Sequence, residues 1–214
     1  MDFIDLKAQQ KKILPKIKNR FESILASGSY IMGNEVFEIE KDLATYCGVK
    51  HAITCSSGTD ALLIPLMALG IGPGDAVFTT PFTYVATAEV IAILGATPVF
   101  VDVYDSTFNI DCDKLELAIN QIILDGKLSP KAIIPVDLFG VPARYRVIDK
   151  IAKKYDLAVI ADAAQSFGGK IRGKKVGTFG DITATSFYPA KPLGCYGDGG
   201  AIFTDNDTLA RQCR

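Results

Sequence analysis

The sequence predicts an α/β fold, with a mostly parallel sheet of about seven strands flanked by helices. Two observations predict it. The strand-like runs are apolar throughout, as strands covered on both faces are. They alternate with stretches of helical spacing, which is the pattern of repeated strand–helix units.

Composition sets the outer bounds. The chain has 214 residues, 49% hydrophobic and 22% charged, enough for one large core or a domain and a half. A net charge of -1 implies no bulk attraction to nucleic acid or to an anionic membrane. No apolar run reaches the length of a membrane span. The start, Met1-Asp-Phe-Ile-Asp5, lacks the basic-then-apolar layout of a signal peptide. Five scattered cysteines without a CxxC pattern read as free thiols in a reducing, cytoplasmic setting. His51 is the only histidine, which argues against His-based metal sites and Ser-His-Asp triads, so no metal is expected.

In chain order, residues 3–26 read as an amphipathic helix on the outside of the molecule, broken at Gly28. Residues 34–46 read as a second helix, ending near Gly48. Strands are expected at 51–54, 76–80, 98–102, 132–136, 157–161, 182–187 and 200–204. Helices are expected at 61–69, 84–94, 113–123 and 146–155. The first of these is apolar nearly all round and should be buried, with Pro65 bending it.

In sheets of this type ligands bind outside the C-terminal strand ends, so the residues there are the candidates. Ser56-Ser-Gly58-Thr59 precedes a helix, and reads either as a phosphate seat or as an ordinary cap. In Thr80-Pro-Phe-Thr-Tyr84 an aromatic could stack on a planar ring or simply fill the core. Asp162 ends a strand, where it could pair with a protonated pyridine nitrogen or cap the next loop. Lys191 lies between two strands, in Ser186-Phe-Tyr-Pro-Ala-Lys191-Pro-Leu-Gly, and is expected on a tight connection inside the core. It could bond covalently to a carbonyl cofactor, or lay its stem along the core with its head in water. The four together, in this order, are the parts that hold pyridoxal phosphate.

Five motifs carry a family resemblance. They are Gly58-Thr-Asp-Ala-Leu62, Gly72-Pro-Gly-Asp75, Pro81-Phe-Thr-Tyr-Val-Ala-Thr87, Asp162-Ala-Ala-Gln-Ser166 and Ser186-Phe-Tyr-Pro-Ala-Lys191. From about residue 2 to 205 the chain resembles the DegT/DnrJ/EryC1/StrS sugar aminotransferases, pyridoxal phosphate enzymes of fold type I. The opening Phe3-Ile-Asp-Leu6 and the run from Lys191 to Gly200 resemble most the branch that aminates UDP-2-acetamido-2-deoxy-3-keto-glucuronate for bacterial surface polysaccharide. An aminotransferase for another dTDP- or UDP-keto-sugar is the alternative, as is a non-catalytic regulatory or assembly protein on the same fold.

The resemblance implies roles. Lys191 would hold the cofactor and then shuttle the proton. Asp162 would pair with the pyridinium, Gln165 would lie beside the ring, and Tyr84 rather than Phe82 would stack on it. Gly58, Thr59 and Ser186 would bind the phosphate. Gly28 and Tyr30 would reach the nucleotide-sugar, in the neighbouring subunit of a homodimer. Glutamate would be the amino donor. Residues 1–30 would form a helix and substrate segment, and 31–214 the cofactor-binding large domain, with the family's smaller C-terminal domain absent. Ala190 stands where the nearest branch has serine, and 120–128 looks like a small insertion.

Overall fold

The computed structural model describes residues 4–214, so Phe3 and the start of the first expected helix lie outside the described residues. Two helices lead, α1 (Leu6–Ser27) and α2 (Asn34–Cys47). β1 (His51–Cys55) then runs into α3 (Gly58–Ala68), β2 (Asp75–Thr79) into α4 (Ala86–Ile93), and β3 (Thr97–Phe100) into α5 (Cys112–Asp125). β4 (Ser129–Ile133) is followed by a 3₁₀ turn (Leu138–Gly140) and α6 (Tyr145–Tyr155). After β5 (Ala158–Asp162) comes a small hairpin, β6 (Lys170–Ile171) and β7 (Lys174–Lys175). β8 (Ile182–Ser186), β9 (Gly200–Thr204) and α7 (Asp207–Cys213) follow.

Local chemistry explains most boundaries. Asp5, Ser57, Asp111 and Asn206 cap α1, α3, α5 and α7 by accepting from first-turn amides. Gly28, Gly48 and Gly126 end α1, α2 and α5 in the left-handed conformation that a glycine adopts without strain. α3 runs on through the buried Pro65, which lacks the N–H to bond back one turn.

The seven main strands form one sheet in the order β1-β9-β8-β5-β4-β2-β3. All pairings are parallel except those of β9, which runs against both β1 and β8. The expected mostly parallel, seven-stranded α/β architecture is therefore present. Successive strand residues point to opposite faces. Val77, Ile134, Ile160 and Ile202 pack with α3, α4 and α7 on one side. Phe78, Ile133, Val159 and Ala161 pack with α5 and α6 on the other. A third cluster joins α2 to the β1–β9 end through Leu43, Phe167 and Phe203.

Two details differ from the sequence reading. The fourth strand lies at Ser129–Ile133 rather than 132–136, and only an isolated bridge from Val136 to Asp162 continues the pairing beyond it. The β6–β7 hairpin, two residues a side, is too short to show any alternation. Residues 120–128 are the last turns of α5, its Gly126 cap and the lead into β4. α1 stands on the outside as expected, with none of its residues buried.

α2, β1 and the residue after α7 meet at one carboxylate. Glu40 accepts from Thr54 N and Thr54 Oγ1, and from both terminal nitrogens of Arg214, at 2.7–3.0 Å. Burial alone would raise the Glu40 carboxyl, but the hydrogen bonds from Arg214 and Thr54 outweigh it and hold it below the usual range. A carboxyl lowered on folding stabilises the fold fully above its unfolded pKa and loses that effect as pH falls through the folded value. Glu40→Gln is thus expected to lower stability at neutral pH by about 1–3 kcal/mol, the cost of a broken buried charged hydrogen bond. It should also flatten the fall in stability on acidification, and denaturant melts across that range check both outcomes.

Candidate active site

The C-terminal ends of β1, β5 and β8 lie along one edge of the sheet. Because β9 runs antiparallel, the 187–199 connection must cross that same edge to return to it. A cavity of about 480 Å³ opens there. Lys191, Asp162, Gln165, Tyr84, Gly58, Thr59 and Ser186 all line it. Residues scattered over more than a hundred positions of sequence are thereby brought to one place.

The floor is the N-terminus of α3. Its early amides, from Gly58 and Thr59, have no carbonyl one turn back and carry the positive end of the helix dipole. The wall beside them is the end of β8. A Cβ on Gly58 would sit 2.5 Å from Ser186 Cβ, so only glycine allows this approach. Gly200 is pressed in the same way, its Cβ position being 2.2 Å from Ser57 O. Ser186 accepts from Tyr188 N at 3.2 Å, leaving its hydroxyl hydrogen free to donate. The result is a cluster of donors suited to a phosphate ester.

Opposite lies Asp162, at the end of β5 and only 6% exposed. Its Oδ2 accepts from Thr87 Oγ1 at 2.9 Å and its Oδ1 from Ala164 N at 3.2 Å. Burial pushes its carboxyl above the ordinary range, while these bonds and the charge of Lys191 pull it partly back. No ion pair among the described residues includes Asp162. A buried carboxylate without a bonded cation fits a ligand that brings one, such as a protonated pyridine nitrogen.

Lys191 is half-buried, not enclosed in the core as expected. The connection that carries it covers the sheet edge from outside, with Ala190 and Pro192 exposed on either side. Its amine reaches the cavity without full desolvation. Tyr84 also lines the cavity and is 71% exposed, so its ring has a face free for stacking. Phe82 turns away, into an edge-to-face cluster with Phe108 and Phe139. Gln165 lines the cavity and accepts from Phe139 N at 2.7 Å through its Oε1.

Gly28 and Tyr30 are elsewhere. They line a separate cleft of about 560 Å³ between the end of α1 and the start of α2. Within one copy of the chain they do not join the Lys191 cavity.

Two groups escaped the sequence reading. Thr87 bonds Asp162 and also pairs with Thr83 Oγ1 at 2.9 Å. Asp137 is fully buried behind Asp162, and burial pushes its carboxyl up to about 6. Hydrogen bonds from Ser166, Tyr145 and Ala143 limit that rise, and the charge of Asp162 adds to it. Its position in an extended Val-Asp-Leu run gave no sign of this role.

Residues 11–214 match the model of the DegT/DnrJ/EryC1/StrS aminotransferase family. The UDP-2-acetamido-2-deoxy-3-oxo-D-glucuronate aminotransferase of Pseudomonas aeruginosa is 52% identical over 214 residues, covering all of this chain and 58% of that protein. The crystal structure of a DegT DnrJ EryC1 StrS aminotransferase from Brucella abortus is 55% identical, with a TM-score of 0.98 over the whole chain and 57% of the other. The structure of NtdA from Bacillus subtilis with bound cofactor PMP is 37% identical, with a TM-score of 0.89 over the whole chain and 47% of the other. The chain thus spans about half the length of the proteins it matches. With the motifs, the sheet and the cavity all in agreement with this match, the chain belongs to the DegT/DnrJ/EryC1/StrS aminotransferase family.

Proposed function

We propose that the protein is a pyridoxal-phosphate-dependent aminotransferase that moves an amino group from glutamate to a nucleotide-linked keto-sugar. UDP-2-acetamido-2-deoxy-3-oxo-glucuronate is the substrate we put first, after the name of the Pseudomonas aeruginosa relative. The observation that carries the reading is one cavity holding a lysine amine, a buried carboxylate without a bonded cation, and a helix N-terminus beside a serine. The reading includes a homodimer, cytoplasmic placement, and a role in surface-polysaccharide synthesis. It also includes a division near residue 30 between a substrate-contacting helix and the cofactor-binding domain. No helix among the described residues is long and apolar enough to cross a membrane.

When bound, the cofactor supplies an electron-withdrawing ring that stabilises negative charge at the substrate carbon. The chain's own residues do the rest. Gly58, Thr59 and Ser186 hold the phosphate with N–H and O–H donors. Asp162, kept in place by Thr87 and Ala164, faces the ring nitrogen and keeps a proton there. Tyr84, with its exposed ring, would stack on the cofactor, and Gln165, which also lines the cavity, would lie beside it. Lys191 anchors the cofactor and, once released, its Nζ accepts and returns the proton that moves during amino transfer. Gly28 and Tyr30, in their separate cleft, serve the nucleotide-sugar bound to a second copy of the chain.

Borohydride treatment with pyridoxal phosphate, followed by peptide mapping, should place the reduced adduct on Lys191, and glutamate should bleach the visible band beforehand. An adduct on another lysine, or none, defeats the reading. Lys191→Ala should lower turnover by about 10²–10⁴-fold, the usual worth of a positioned acid–base group, in a keto-sugar amination assay. Gly58→Ala forces a Cβ against Ser186 and should weaken cofactor retention by about 1–3 kcal/mol, read by dialysis and absorbance.

A further inference from the structure

Behind the cavity wall Asp137 accepts three hydrogen bonds and makes no ion pair among the described residues. Oδ1 takes the N–H of Ala143 at 2.9 Å and the hydroxyl of Tyr145 at 2.7 Å. Oδ2 takes the hydroxyl of Ser166 at 2.7 Å. These donors come from two segments, one of which lines the cavity while the other is hydrogen-bonded to it. Ser166 ends the turn that begins at Asp162 and carries Gln165. Ala143 and Tyr145 close the loop that carries Phe139, whose amide bonds Gln165 Oε1. The main chain adds a further tie, from Asp137 N to Asp162 O at 3.0 Å. Tyr145 is itself fixed by stacking on Phe179, with centroids 4.7 Å apart.

We propose that Asp137 is a positioning residue for the cofactor's nitrogen partner. Its carboxylate ties the Asp162–Ser166 turn to the start of α6, and so sets where Asp162 and Gln165 face the cavity. The inference rests on the reading of Asp162 given under Proposed function. The geometry favours it over a merely structural role. The Ala164 amide that holds Asp162 Oδ1 lies on this same turn, and Ser166 Oγ is the turn's side-chain tether to Asp137.

The test uses the intact protein with Asp137→Ala, Asp137→Asn, Asp162→Asn and, as a control, Leu115→Ala. Leu115 is a buried residue of α5 that makes no hydrogen bond to Asp137 or to the turn, and its truncation gives the effect of lost stability. Amide hydrogen exchange is read at Ala164 and Phe139 in cofactor-free protein, and pyridoxal phosphate affinity is read from the visible band. Asp137→Ala should speed exchange at both amides beyond the change that Leu115→Ala causes, and weaken cofactor affinity about tenfold, the equivalent of one buried hydrogen bond. Asp137→Asn should recover most of both, because its Oδ1 still accepts from Ala143 and Tyr145 and its amide can donate to Ser166 Oγ. If Asp162→Asn weakens binding but Asp137→Ala behaves like Leu115→Ala, the inference fails alone. If Asp162→Asn leaves affinity unchanged, the reading of the site fails and takes this inference with it.

Discussion

The Ser57–Gly58 turn presses on the ends of β8 and β9 with no room for a side chain on either Gly58 or Gly200. Much of the site depends on that contact. It sets the amides of the α3 N-terminus beside the hydroxyl of Ser186, which joins a helix dipole to a side-chain donor. It also decides where the connection from β8 to β9 can run. With the strand ends closed against the turn, residues 187–199 pass over the outside of the sheet edge. Lys191 then reaches the cavity from above, and Asp162 faces it from the neighbouring strand, β5.

Glu40, Asp162 and Asp137, the buried acids among the described residues, divide by their partners. Glu40, away from the cavity, is clamped by Arg214 and held below the usual carboxylate range. Asp162 and Asp137, at and behind the cavity, accept only from hydroxyls and backbone amides, and burial pushes both upward. The chain matches opposite charges where only stability is at stake. At the site it keeps a carboxylate whose cation is expected to come from the ligand. Such an arrangement lowers the stability of the empty fold and favours the occupied one, since a group that binds only the folded state adds its binding energy to folding.

The alternation of apolar strands and amphipathic helices was plain in the sequence, and with it the layered sheet. It was plain because strands covered on both faces must be apolar throughout. Lys191, Asp162 and the Gly58–Thr59 turn were legible for a related reason. Each stood at an expected strand end, where sheets of this kind bind ligands. Thr87 and Asp137 were not legible, because their importance lies in partners 75 and 29 positions away. The small β6–β7 hairpin escaped notice for want of length, and the fourth strand was placed too late because its apolar run continues past the ladder.

The residues themselves determined the fold class, the parts of the candidate site and the family. Periodicity, cap chemistry and motif spacing are local properties of the chain. Only the tertiary structure decided that Lys191 is half-buried and that Gly28 and Tyr30 stand in a separate cleft. The first depends on which strand runs antiparallel and which backbones meet without a Cβ between them. Contacts of that kind are made between distant segments and are absent from any one of them.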